Sequence, residues 1–190
     1  MSVGRLVERA LIGGLFIGHG TQKLYGWFGG PGREGTEGMM GALQMHPAKA
    51  NALAAGVTET AGGAAIALGL GTPLAAAALT GVMTTAIKKV HLANGPWAAN
   101  GGWEYNAVLI AAVAALAETG PGDLSLDHAL GLDDRRGPAW ALGAVAVGVA
   151  SAFLTMELGR RNAPAAAPSA GAAGEALDDD RAGDPTTAGS

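Results

Sequence analysis

The chain has 190 residues and a net charge of −4, with 49% hydrophobic residues and only 15% charged ones, where ordinary soluble domains carry about 25% charged residues. It has no cysteine, which excludes disulfides, iron–sulfur clusters held by this polypeptide and persulfide chemistry on it. No basic face points to nucleic acid, and Asp178, Asp179, Asp180 and Asp184 place part of the negative charge near the C-terminus.

Crossing about 30 Å of hydrocarbon at about 1.5 Å per residue takes roughly 20 mostly apolar residues, and five segments are read on that scale. The first helix is predicted over Leu6 to Phe28 and is interrupted late by His19, Gln22 and Lys23. Arg5 and Arg9 ahead of the apolar stretch Leu11 to Gly18 resemble the start of a signal peptide, but no A-x-A cleavage pattern follows, so the helix is read as retained. The second helix runs over Ala50 to Leu70 with a single charge, Glu59, near its middle. The sequence GLGTP at Gly69 to Pro73 then breaks an uncharged stretch from Thr60 to Ile87 that is too long for one crossing.

The third helix is predicted over Leu74 to Val90, closing on Lys88 and Lys89 with His91 beyond. The fourth covers Trp103 to Glu118, and the fifth is the uncharged Pro138 to Met156. Soluble core helices keep a polar stripe, whereas helices in lipid are apolar all round, and the second and third helices show no such stripe. The expected fold is therefore all-α: a transmembrane four-helix bundle over residues 1–130, an additional transmembrane helix over 131–158, and a disordered Ala/Pro/Asp-rich tail over 159–190. Small residues at four-residue spacing, Gly14 with Gly18, Ala55 with Glu59 and Gly63, and Ala77 with Gly81, are expected to let backbones approach closely.

Antiparallel threading gathers most of the polar side chains on one side of the bundle. The candidates for a polar site there are His19, Lys23, Glu59, Lys88, His91, Trp103, Glu104 and Asn106; no catalytic role and no metal is assigned among them. The bland alternatives stand beside this reading. Tyr and Trp anchor helices at headgroups, lysines at helix ends reach outward to the interface, Lys89 above all, and His19 serves equally as a neutral core histidine. Glu59 is different, because an unpaired charge at mid-helix costs about 3 kcal/mol. His19 and Lys23, one turn apart, are its nearest expected partners, with Lys88 and His91 as a second set.

The stretches GLFIGHGTQKLYGWFGGPG, ETAGGAAIALGLGTPLAA, KKVHLANGPWAANGGWEYN and GPGDLSLDHAL, in that order from about Arg5 to Leu130, resemble the signature blocks of the DoxX family. The resemblance implies a four-helix core in the plasma membrane, multi-pass, in contact with the lipid bilayer. It also brings in relatives of the DoxD and DoxA type, which form a thiosulfate:quinone oxidoreductase, and partners that handle thiols and oxidative stress. Three functions follow as expectations: an assembly or docking subunit of a redox or sulfur-handling complex, a quinone-linked oxidoreductase subunit with quinone at the polar site, or a small-solute or proton carrier.

Overall fold

The computed structural model describes residues 3–164, and among these the chain is all-helical. Seven α-helices follow one another: α1 (Val3–Tyr25), α2 (Gly32–Ala42), α3 (Ala48–Leu68), α4 (Thr72–Ala86), α5 (Glu104–Thr119), α6 (Leu126–Ala129) and α7 (Pro138–Arg161).

Alanine and glycine set how closely the long helices pack. A Cβ built on Gly13 would stand 2.5 Å from the carbonyl of Gly63, and one on Gly20 would stand 2.6 Å from the Thr60 amide nitrogen and 2.7 Å from the Gly56 carbonyl. These contacts make α1 and α3 the most extensively packed pair of the bundle. The expected close approach is thus present, but Gly14 and Gly18 do not make it: nothing lies within 4 Å of a Cβ at either. The helical period explains the shift, since 13, 16 and 20 follow one face and 14 and 18 the next.

Gly69 and Gly71, both in the left-handed region at φ 63° and 56°, turn the chain back between α3 and α4, a conformation that side chains disfavour. Pro73 then stands in the first turn of α4, where its missing N–H costs nothing. Helix α4 is the central element, packed on α3, α5 and α7. The core joins Phe16, Ile66, Leu79, Leu109, Val113 and Leu116, all at most 1% exposed. Helix α7 lies directly on α4, where Gly148 meets the Ala77 carbonyl and Thr80, and Gly81 meets Ser151.

Two features depart from the sequence reading. The segment after the first helix forms α2, an element not anticipated because GREGTEGMMGA holds four glycines, which disfavour a helix interior. Helix α7 continues to Arg161, into the stretch expected to be disordered, with Glu157 bonded to both Arg160 and Arg161. The rest of the predicted tail, from 165 on, lies outside the described residues.

Among the described residues, α7 alone is long and apolar enough by length and composition to cross a membrane. Helices α4 and α5 have 15 and 16 residues, α1 carries Arg5, Glu8, Arg9 and Lys23, and α3 is diluted by Gly, Thr, Lys49 and Glu59.

Candidate functional site

Close packing of α1 on α3 places the last turn of α1 beside the middle of α3. Glu59 is 1% exposed there, and the Lys23 ammonium donates to its Oε2 at 2.6 Å. One turn back along α1, His19 Nε2 lies 3.4 Å from the Tyr105 hydroxyl of α5, with ring centroids 6.0 Å apart. Asn106, the next residue of α5, is buried and donates from Nδ2 to Met83 Sδ at 3.4 Å.

These groups line a cavity of about 610 Å³, within the range of sites that hold a small organic ligand. Its remaining wall is largely apolar, with Met39 and Met40 of α2, Leu43 and Met45 of the following turn, Met83 of α4 and Leu109 of α5. Helix α2 is fastened to α1 by the fully buried Thr36, whose hydroxyl donates to Gly32 at 2.7 Å and to Lys23 at 3.3 Å. At the rim, Val90, Ala98, Gly101 and Tyr105 are exposed, so the cavity communicates with the surface on that side.

The end of α4 supplies the second polar wall. Its helix passes into a π-turn over Ile87–His91, whose i→i+5 bonding widens the coil. Gly81, Thr85 and Lys89 follow one face at four-residue spacing, and the π-turn brings His91 round onto the same side as Ala86, all of them at the cavity. Lys89 Nζ donates to the Leu43 carbonyl at 2.9 Å. His91 Nδ1 lies 2.7 Å from the Gly101 carbonyl; a carbonyl only accepts, so Nδ1 carries the proton and Nε2 is the ring's remaining nitrogen.

Of the eight residues singled out from the sequence, His19, Lys23, Glu59, His91 and Asn106 line the cavity, whereas Lys88, Trp103 and Glu104 do not. Lys88 is exposed, because it precedes Lys89 by about 100° of helix; Lys89, expected to reach outward, is the one turned in. Trp103 and Glu104 build the loop before α5. The Trp103 amide donates to Gly95 at 3.2 Å, and Glu104 Oε1 accepts from the Ala98 amide at 2.7 Å. Tyr105 and the methionine wall are not among the residues singled out from the sequence, although the GMMGALQM stretch carries a signal for the second.

A second buried polar centre, also unforeseen, closes the other end of the bundle. Arg9, 3% exposed, donates to the carbonyls of Ala67 at 2.9 Å, Pro121 at 2.7 Å and Leu124 at 2.8 Å. Asp127, also 3% exposed, accepts from the Gly71 amide at 2.7 Å, the Thr72 amide at 3.1 Å and the Thr72 hydroxyl at 2.9 Å. It caps the N-terminus of α4 from 55 residues away in the chain.

With this geometry in place, comparison with protein families matches residues 4–92 to the DoxX model, from the start of α1 through the π-turn. Neither a curated protein nor a solved structure matches the chain.

Proposed function

From a domain of the DoxX family, a family of small membrane proteins, over residues 4–92, we propose that this protein is a multi-pass subunit of the plasma membrane that holds a quinone-type ligand for a redox or thiol-handling complex. In this reading α1, α3, α4 and α5 form a four-helix membrane core within residues 1–130, α7 adds a fifth crossing within 131–158, and 159–190 is a tail. Outward-facing Leu11, Leu53, Val57, Leu74, Val108 and Leu142, each more than 40% exposed, support lipid contact on several sides of the bundle.

The observation that carries the functional reading is a largely apolar cavity of about 610 Å³ ending at a part-buried Lys23–Glu59 pair and a His19–Tyr105 pair. An apolar ligand body fits the methionine wall, and an oxygen headgroup fits the polar end, where ammonium, imidazole and phenol are all proton donors. Reducing a quinone to a quinol takes two electrons and two protons. Glu59, Lys23 and His19 serve the protons. Without cysteine the chain has no thiol couple of its own, so the electrons come from a docked redox partner, which makes the protein an assembly subunit and a ligand-bearing one at once.

The test is purification in a mild neutral detergent, followed by solvent extraction and by identification of co-purifying chains. A quinone in stoichiometric amount together with a redox enzyme is the expected result. Recovery of a partner without quinone reduces the role to docking. Absence of both, with Glu59-dependent proton or solute uptake into proteoliposomes, replaces the proposal with a carrier.

A further inference from the structure

The charges on the cavity wall do not balance. Lys23 and Lys89 both line it, while Glu59 is the one lining carboxylate among the described residues and is already bonded to Lys23 at 2.6 Å. Lys89 is part-buried and held at 2.9 Å by the Leu43 carbonyl. That bond uses one of three ammonium donors and supplies no counter-charge. A cation facing an apolar wall is costly unless an anion meets it. Lys88, the neighbouring residue of the same type, is exposed, so an outward course was open to a lysine at this point of the chain and Lys89 does not take it. His91 stands two residues on, its Nδ1 spent on Gly101 at 2.7 Å and its Nε2 left for a further partner.

We propose that the π-turn carrying Lys89 and His91 is an anion site, and that the cavity takes an amphiphile with one acidic headgroup, a carboxylate or a phosphate monoester on a long alkyl chain. The headgroup sits against the Lys89 ammonium, which forms a charge-assisted hydrogen bond to it, with the His91 ring beside it on the cavity wall. The alkyl chain lies along Met40, Met45, Met83 and Leu109. The proposal does not rest on quinone binding, which uses the Lys23–Glu59 end of the cavity, and no bond is made or broken.

The experiment measures binding of hexadecanoate, hexadecyl phosphate and hexadecanol to the purified full chain in a neutral detergent, by competition against a labelled fatty acid. Both acids are expected to bind at least about tenfold tighter than the alcohol, a difference of one charge-assisted contact. Lys89→Met should erase that margin, Lys89→Arg should retain most of it, and Lys88→Met should leave it intact. Preference for the carboxylate identifies a free fatty acid as the source, and preference for the phosphate a lipid headgroup. Equal affinity for acids and alcohol in the unmodified chain overturns the proposal without recourse to any variant, as does loss of the margin on Lys88→Met but not on Lys89→Met. Quinone recovery in the earlier experiment is a separate readout, so either proposal can fail while the other stands.

Discussion

The two ends of the bundle both bury charge, and they do opposite things with it. At the α3–α4 turn, Arg9 and Asp127 each bond several main-chain groups. At the other end, Lys23, Glu59 and His19 bond mostly to one another and to Tyr105 and remain on the wall of a cavity. Charge spent on backbone builds a closed joint, because carbonyls and amides do not leave. Charge spent on side chains beside a void keeps partners that a ligand can exchange.

The largest effect should come from the closed end. Asp127→Ala removes the acceptor of two amides and a hydroxyl, and at about 1–3 kcal/mol for each stranded group the loss is on the order of 3 kcal/mol, read by thermal unfolding in detergent. Ligand affinity at the cavity should be unchanged; a parallel loss of binding would merge the two ends into one functional unit. Next in size, Gly20→Ala forces a methyl group into Thr60 and the Gly56 carbonyl, an overpacking cost of about 1–3 kcal/mol. Gly14→Ala, into open space, should stay within about 0.5 kcal/mol. Equal effects would show that the helices part rather than clash.

The open end should respond in a coupled way. Glu59→Gln leaves Lys23 without its counter-charge and should destabilise by about 1–2 kcal/mol, while adding Lys23→Met should restore part of it, because breaking one side of a buried pair costs more than removing both. Coupling in membrane helices averages about 0.6 kcal/mol, and a double-mutant cycle giving none would separate the pair energetically. The smallest effect belongs to α6 and the loop after it, where His128 Nδ1 meets Asp133 Oδ2 at 2.8 Å. The carboxylate holds the imidazole above its ordinary value, chiefly through this hydrogen bond, and Asp133 is held below its own by the same contact. Stability from His128 is therefore full below about pH 6.5, the unfolded value, and is lost as pH rises through the raised one. Stability from Asp133 is lost as pH falls through its lowered one. Amide protection around α6, taken relative to the intrinsic exchange rate at each pH, should be greatest between those limits, and protection that does not fall as pH rises through the His128 limit would remove the pair.

Most of the helices were legible because uncharged runs and the GLGTP break are strong local signals. Convergence of His19, Lys23, Glu59, His91 and Asn106 followed from antiparallel threading alone. What stayed hidden depends on partners distant in sequence. Arg9 read as a flank of the first helix, and nothing near it announces carbonyls 58 to 115 residues away. The choice between Lys88 and Lys89 turns on helical rotation at a single residue, finer than a boundary read from composition. Helix α2 was missed because its methionines act through a cavity that other elements enclose.

The π-turn at Ile87–His91 carries a consequence for how this stretch tolerates change. A helix that closes one turn on five residues holds one residue more than an α-turn, equivalent to a single codon spliced into the α4 frame. Removing one residue ahead of His91 would restore the α phase and keep His91 on the side of Ala86, four residues on instead of five. The loop to α5 would then keep its direction, whereas a deletion in the regular turns of α4 before Ile87 would swing it by about 100°. The π-turn should therefore accept a single-residue deletion ahead of Lys89 more readily than the regular turns of α4 before it do, so that length is under tighter constraint in the α turns than here.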